Sequence, residues 1–304
     1  DTAELAYVYK ALDRFHQSLH ALLTVSFAAS TRLPEKLLIE YELLPELPYG
    51  IEARFLRGRR YVLNFDDDVW IKYEGRGRLA DKYDRLVAGA CGVVCANDLL
   101  LEKVLKLNPD AVKIPTAVDL DAFPLQAEKF PRFTVAWIGT PVTYSYLERH
   151  AEALRAMSRA AEFELLVIAK KSLGPRAVPG VRMRFEEWSP ENEAALLSRC
   201  HAGIMPLPAD DAFAAGKSAF KLIQYLAAGL PAIASPVGEN RRVLRAGETG
   251  FFASVPGEWA EALRLLADDA VRIRLSANAR SLARDYSIQK YGPIYAEFLR
   301  EALE

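Results

Sequence analysis

Short, uninterrupted apolar runs recur along the chain, each closed by a glycine, proline or polar turn and followed by residues with helical spacing. Runs of this kind suit strands buried on both faces of a parallel sheet. In the second half they lie at 133–139, 163–169, 202–207, 232–234 and 250–253, with an alternating, half-exposed strand at 181–185. Helical spacing covers 146–160, 239–244, 257–267 and 269–285, and Ser189, Pro190 and Glu191 start a further helix with a cap residue and an N1 proline. The first half repeats the alternation, with strands at 36–40, 60–65, 92–96 and 112–114 and helices at 51–56, 79–90 and 98–107. Strand and helix alternating throughout predict an α/β fold of parallel sheets with helices on both faces.

A chain of 304 residues fits two such domains better than one. The boundaries predicted are 1–130 for a first doubly wound, Rossmann-like domain and 131–285 for a second, with the proline-bearing, mixed-charge stretch 119–132 as linker. The terminal helix, 286–304, carries Tyr291, Ile294, Tyr295, Phe298 and Leu299, an apolar face wide enough to predict packing back on the first domain. At the other end, a helical pattern (Leu5, Val8, Tyr9, Leu12, Phe15, Leu19) stands where a doubly wound domain opens with a strand. The expectation is that the first domain lacks its N-terminal strand in this sequence.

Composition narrows the class. Half the residues are apolar (51%) and about a quarter charged (26%), an ordinary globular mixture, and the net charge of −1 leaves no electrostatic footprint for nucleic acid. No apolar run is long enough to span a bilayer as a helix. The odd count of three cysteines argues against a disulfide framework, and Cys91, Cys95 and Cys200 read as small apolar groups in a reducing, cytoplasmic setting. The four histidines do not cluster with them, so no metal is expected.

The segment 216–231 concentrates candidate chemistry. It reads as loop, helix, tight turn and buried strand, with Lys217 and Lys221 placed i, i+4 at the helix start and Ser218 between them. A helix N-terminus favours anions through its unpartnered N–H groups and its dipole, and two ammonium groups beside it suit a diphosphate. The ordinary alternative is a solvated lysine pair. Gly139 and Thr140 close a strand, where open α/β sheets bind ligands: glycine admits a close backbone approach and the hydroxyl suits a phosphate oxygen. Lys170 follows the next strand.

The order and spacing of these stretches resemble the GT-B glycosyltransferases, and specifically glycosyltransferase family 4. The resemblance runs over nearly the whole chain and is strongest from Phe133 to Ser287. It rests on Trp137-Ile138-Gly139-Thr140, Gly203-Ile204-Met205-Pro206-Leu207, the 216–231 segment, Ser235-Pro236-Val237-Gly238-Glu239-Asn240, Gly247-Glu248-Thr249-Gly250-Phe251-Phe252 and Asp285-Tyr286-Ser287. In the first half, Phe65-Asp66-Asp67-Asp68-Val69-Trp70 and Ile114-Pro115-Thr116-Ala117-Val118-Asp119 match as well.

The family implies two tandem domains facing a cleft and a retaining transfer from a nucleotide-diphosphate sugar to a hydroxyl acceptor, with no metal or other cofactor. The donor would bind the second domain, through Gly139, Thr140, Lys170, Lys217, Ser218, Lys221 and Gln224. Many members carry glutamates at the positions of Gly216 and Gln224, so this chain departs from the pattern at the donor-ribose contact. On the acceptor side, the resemblance singles out Asp67, with Asp66 second, for orienting or deprotonating the acceptor hydroxyl. Neighbouring carboxylates raise one another's pKa, which suits proton handling, although three acids in a turn are ordinarily just solvated. Glu42, after another strand end, is a candidate acceptor contact or a polar loop residue.

Lys72, Arg76, Arg78, Lys82 and Arg85 would suit an anionic or lipid-phosphate acceptor, with peripheral contact at the inner face of a membrane through the first domain. The interleaved Glu74, Asp81 and Asp84 read equally as a charged helix face. Two other functions stay open: a sugar-nucleotide epimerase or hydrolase on the same fold, and a non-catalytic nucleotide-sugar-binding module.

Overall fold

The computed structural model describes residues 33–304, apart from 125, 174 and 175. The predicted opening helix therefore lies outside the described residues. The chain divides into two compact units, one of described residues up to Ile114 together with Ala296–Glu304, the other Pro115–Tyr295.

The first unit is built on a four-stranded parallel sheet, β1 (Lys36–Glu40), β2 (Arg60–Phe65), β3 (Gly92–Cys95) and β4 (Ala111–Lys113), in simple sequential order. Helices α1 (Tyr49–Leu56), α2 (Lys82–Gly89) and α3 (Asp98–Leu105) connect successive strands. The two inner strands are almost wholly buried, which is why their sequences (Arg60-Tyr-Val-Leu-Asn-Phe65 and Gly92-Val-Val-Cys95) run apolar without alternation. Gly92 leaves room for the terminal helix: a Cβ there would fall 2.8 Å from the Phe298 ring.

The second unit holds six parallel strands in the order β10-β9-β8-β5-β6-β7. They are β5 (Thr134–Ile138), β6 (Glu164–Ala169), β7 (Met183–Glu187), β8 (Ala202–Met205), β9 (Ala232–Ala234) and β10 (Gly250–Phe252). The chain winds outward from β5 to β7, then returns to β8 beside β5 and winds the other way. The boundary between β5 and β8 is therefore the topological switch point, where doubly wound sheets open a crevice for ligands. Alternate residues of β5 feed opposite cores: Val135 and Trp137 pack into one, Ala136 and Ile138 into the other. As expected, β7 is an edge strand of half-exposed residues.

The helices of this unit are α4 (Pro141–Arg149), α5 (Ala151–Ala160), α6 (Glu193–Ser198), α7 (Ala212–Ala215), α8 (Phe220–Ala227), α9 (Asn240–Val243), α10 (Pro256–Ala267) and α11 (Asp269–Ala283), together with the start of α12 (Ile288–Leu303), whose residues from Ala296 on belong to the first unit. Three differ from the sequence expectation. The single helix expected over 146–160 is two, α4 starting earlier at Pro141 and ending at His150, whose Nδ1 lies 2.7 Å from Tyr146 O. The helix expected from Ser189 begins only at Glu193, because the Asn192 side chain accepts from Ser189 N and holds a turn there.

The third difference falls in the lysine segment. Lys217 precedes α8 and does not share a helical face with Lys221, because Ala219 sits in the left-handed region (φ 59°, ψ 25°) and ends any continuous helix. The described residues of the expected linker, 119–132, are packed within the second unit: Phe123 and Phe130 are buried, Phe123 O accepts from Arg280 Nη2, and the Lys129 ammonium donates to Ser198 O and Cys200 O.

Candidate functional site in the second unit

Pairing between β5 and β8 stops after Val135↔Ala202 and Ala136↔Gly203. Beyond that the hydroxyl of Tyr225, fully buried on α8, takes the place of the ladder: it accepts from Ile138 N (3.3 Å) and donates to Ile204 O (3.1 Å). The ring lies against Gly203, where a Cβ would come within 2.5 Å of it. One side chain thus parts the two strands at the switch point while keeping their backbone groups satisfied.

Gly139 and Thr140 follow β5 at this opening. Trp137 fills the space beside Gly139, and a Cβ there would fall 2.5 Å from the indole. The glycine is thus required by its own neighbour on the strand. Thr140 is the N-cap of α4: Thr143 N points to its Oγ1 (3.4 Å), Thr140 N donates to Thr143 Oγ1 (3.1 Å), and Pro141 occupies N1. The cap fixes the first turn of α4 at the carboxyl edge of the sheet.

The loop after β8 carries the cations. Asp211 caps α7 through Ala214 N, and Gly216, Lys217, Ser218 and Ala219 lead into α8. The Lys217 ammonium lies 4.4 Å from the Phe213 ring centroid, Ser218 is buried, and the Lys221 ammonium lies 5.4 Å from the Trp137 ring centroid, beside Gly139. One turn on, Gln224 is 4% exposed, and its Nε2 donates to Glu193 Oε1 (3.2 Å). The other oxygen of Glu193 accepts from Trp188 Nε1 (2.5 Å), and the Lys170 ammonium lies 5.7 Å from the Trp188 ring centroid. Of the residues singled out in the sequence for a donor, Gly139, Lys221 and Gln224 are thus linked through Trp137 and one turn of α8. Lys170 reaches Gln224 through Trp188 and Glu193. These last two were missed. Trp188 follows a strand end as Gly139 and Lys170 do, which was its signal, whereas Glu193 had no local signal because only the fold brings it to Gln224.

The candidates in the first unit fall into two sets. Asp66, Asp67 and Asp68 follow the carboxyl end of β2, all half-buried. Asp68 accepts from Trp70 N (3.3 Å) and pairs with Lys103 (2.8 Å), which gives it a capping role. Glu42 is buried in an ionic network: Lys82 lies 2.5 Å and Lys72 3.0 Å from its oxygens, and the hydroxyls of Tyr73 and Tyr83 donate to it. Lys82, itself fully buried, also pairs with Glu52 (2.9 Å) and donates to Leu44 O. Burial alone would raise the Glu42 carboxyl, but Lys82 and Lys72, with hydrogen bonds from Lys82 and Tyr83, bring it below its ordinary value. Arg76 pairs with Glu46, and Arg85 with Asp81. Four of the five basic residues in this stretch therefore have carboxylate partners.

Cys95 and Cys200 are buried free thiols, each pushed up to about 12 by burial. Among the described residues no group of three or more His, Cys, Asp or Glu is placed to hold a metal ion, and no helix is long and apolar enough to cross a membrane.

Residues 132–269 match the family model for glycosyl transferases group 1. No curated protein matches the chain by sequence. Among solved structures, the sucrose-phosphate synthase of Thermosynechococcus elongatus superposes with a TM-score of 0.67 at 16% identity, over 95% of this chain and 80% of that one. HepE of Anabaena, solved in complex with UDP-glucose, gives 0.68 at 12% identity over 93% and 82%. The pneumococcal O-GlcNAc transferase GtfA, solved with UDP and GlcNAc, gives 0.64 at 12% identity over 92% of this chain and 60% of that one. At these identities the likeness is one of fold: this chain's two α/β units, with parallel sheets of four and six strands, match the fold of GT-B glycosyltransferase structures.

Proposed function

We propose, from the match of residues 132–269 to the family model for glycosyl transferases group 1, that the chain moves a sugar from a nucleotide-diphosphate sugar to a hydroxyl acceptor, with retention at the anomeric carbon and without a metal. The observation that carries this reading is the lysine loop at the switch point. Lys217, Ser218 and Lys221 lie in the segment that follows β8, and Lys221 reaches the end of β5.

In such a transfer the bond from the anomeric carbon to the diphosphate oxygen breaks, and one from that carbon to the acceptor oxygen forms. Negative charge grows on the leaving diphosphate, where fixed cations and helix N-termini stabilise it. Lys217, Lys221 and the Ser218 hydroxyl supply that stabilisation, with the N-terminus of α4 at Gly139 and Thr140 and the Lys170 ammonium nearby in the fold. The acceptor proton passes to a phosphate oxygen of the leaving group, or to Asp67, with Asp66 beside it. Glu42 acts on the acceptor side indirectly, by holding Lys72.

The UDP and UDP-glucose bound in the HepE and GtfA structures make a uridine donor the first to test. The test is release of nucleoside diphosphate from a panel of nucleotide sugars with an added mixture of glycan and lipid-linked acceptors. Wild type is expected to turn over one donor and to give product of unchanged anomeric configuration by NMR. Lys217→Ala with Lys221→Ala is expected to lower the rate at least a hundredfold, the scale of losing charge stabilisation in the transition state. An unaltered rate in the double variant, or an inverted product, contradicts the proposal.

A further inference from the structure

The pair formed by Gln224 and Glu193, residues 31 apart in sequence, joins α8 to α6 at a position one turn beyond Lys221. A buried glutamine presents two unlike faces, an amide NH2 that donates and an oxygen that accepts. Here the choice is made by a charge. Glu193 accepts from Gln224 Nε2 through one oxygen and is itself held through the other by Trp188 Nε1. Turning the amide over would set two oxygens against each other, so Nε2 must face Glu193 and Oε1 is the group left to meet anything else. Among the described residues no donor reaches Gln224 Oε1. Residues i and i+3 share a helical face, so this acceptor belongs to the same face of α8 as the Lys221 ammonium.

Cations beside acceptors make a divided site. The lysines attract phosphate, whereas an amide oxygen backed by a carboxylate repels it and accepts from hydroxyls. A ligand that satisfies both carries a phosphate group and hydroxyl groups about one helical turn apart, as a ribonucleoside diphosphate does.

We propose that Glu193 is a positioning residue for the donor: by fixing the amide of Gln224 it presents Oε1 to a ribose hydroxyl and makes the site select ribonucleotides over deoxyribonucleotides. This rests on the donor reading above. Trp188 acts with it by holding the Glu193 carboxylate in place.

The test measures binding of ADP, GDP and UDP to the whole chain by calorimetry, then of the 2′-deoxy and 3′-deoxy counterparts of whichever binds best. Wild type is expected to prefer the ribonucleotide over at least one deoxy counterpart by about fivefold or more, the scale of one hydrogen bond. Glu193→Ala and the equal-sized Glu193→Gln are expected to bring that preference close to one. In Glu193→Gln the new amide can itself donate to Gln224 Oε1 and occupy it. Removal of the lysines would instead weaken ribo and deoxy forms alike. A preference that survives both Glu193 variants, or a wild type that never discriminates, overturns the inference and leaves Glu193 as a brace between α6 and α8 while the donor reading stands. If none of the diphosphates binds wild type, the donor reading fails and this inference with it.

Discussion

At the scale of single residues, two buried groups govern stability, Tyr225 and Lys82. The Tyr225 hydroxyl bridges Ile138 N–H and Ile204 C=O with two hydrogen bonds where the β5–β8 ladder would continue, so Tyr225→Phe leaves both groups without a partner. Chemical denaturation is expected to show a loss of about 1–3 kcal/mol, the cost of unsatisfied buried polar groups. Lys82 stands between two buried carboxylates, and Lys82→Met leaves Glu42 and Glu52 as like charges without it. Breaking a buried ion pair from one side costs about 3–5 kcal/mol, so this variant is expected to be the more severe of the two.

His201 sets a pH window. Its Nδ1 accepts from Thr134 N (3.0 Å), which requires the neutral ring at that nitrogen. Burial, with Arg272 and Lys129 nearby, pushes its pKa down to about 4, below the ordinary 6.5. A group depressed in the folded state stabilises above its unfolded pKa, and that contribution is lost as pH falls from 6.5 towards 4. Thermal melts of wild type are expected to decline through that window. His201→Asn, whose oxygen can take the Thr134 N–H without titrating, should flatten that decline.

At the scale of elements, the strands were legible and the start of α8 was not. Every strand from 133 to 253 was found within two residues of its place, because buried parallel strands need continuous apolar runs. The break before α8 has no such local signal. Alanine in the left-handed region costs about 1–2 kcal/mol and is imposed from outside. Gly238 packs so close to the preceding helix that a Cβ there would fall 2.2 Å from Ala215 O, which fixes the path of the chain into that turn. Ala219→Val is therefore expected to lower stability by about 1–2 kcal/mol or more, while Ala219→Gly should not, as read by denaturant midpoints.

The site divides in the same way. Gly139, Lys170, Lys217 and Lys221 were picked out as candidates by their place at a strand end or around a helix start. Glu193 was not, because its partner is 31 residues away and only the fold brings them together. Glu42 was read at a strand end, but its partners Lys82, Tyr73 and Tyr83 lie more than thirty residues on, and their convergence on one carboxylate has no local pattern.

At the scale of the molecule, the two units differ in sheet topology. The first sheet is wound in one direction, β1 to β4, whereas the second reverses between β5 and β8. A crevice at a reversal is a property of the winding, and the second unit places its lysine loop there. On the proposed function, this loop reads a diphosphate. The most direct measurement is calorimetric binding of a nucleoside diphosphate and its monophosphate to wild type and to Lys217→Ala with Lys221→Ala. Wild type is expected to bind the diphosphate at least tenfold more tightly, about 1.4 kcal/mol, and the double variant to lose this difference. Equal affinities for the two nucleotides in wild type, or a diphosphate preference that persists without the lysines, would contradict it.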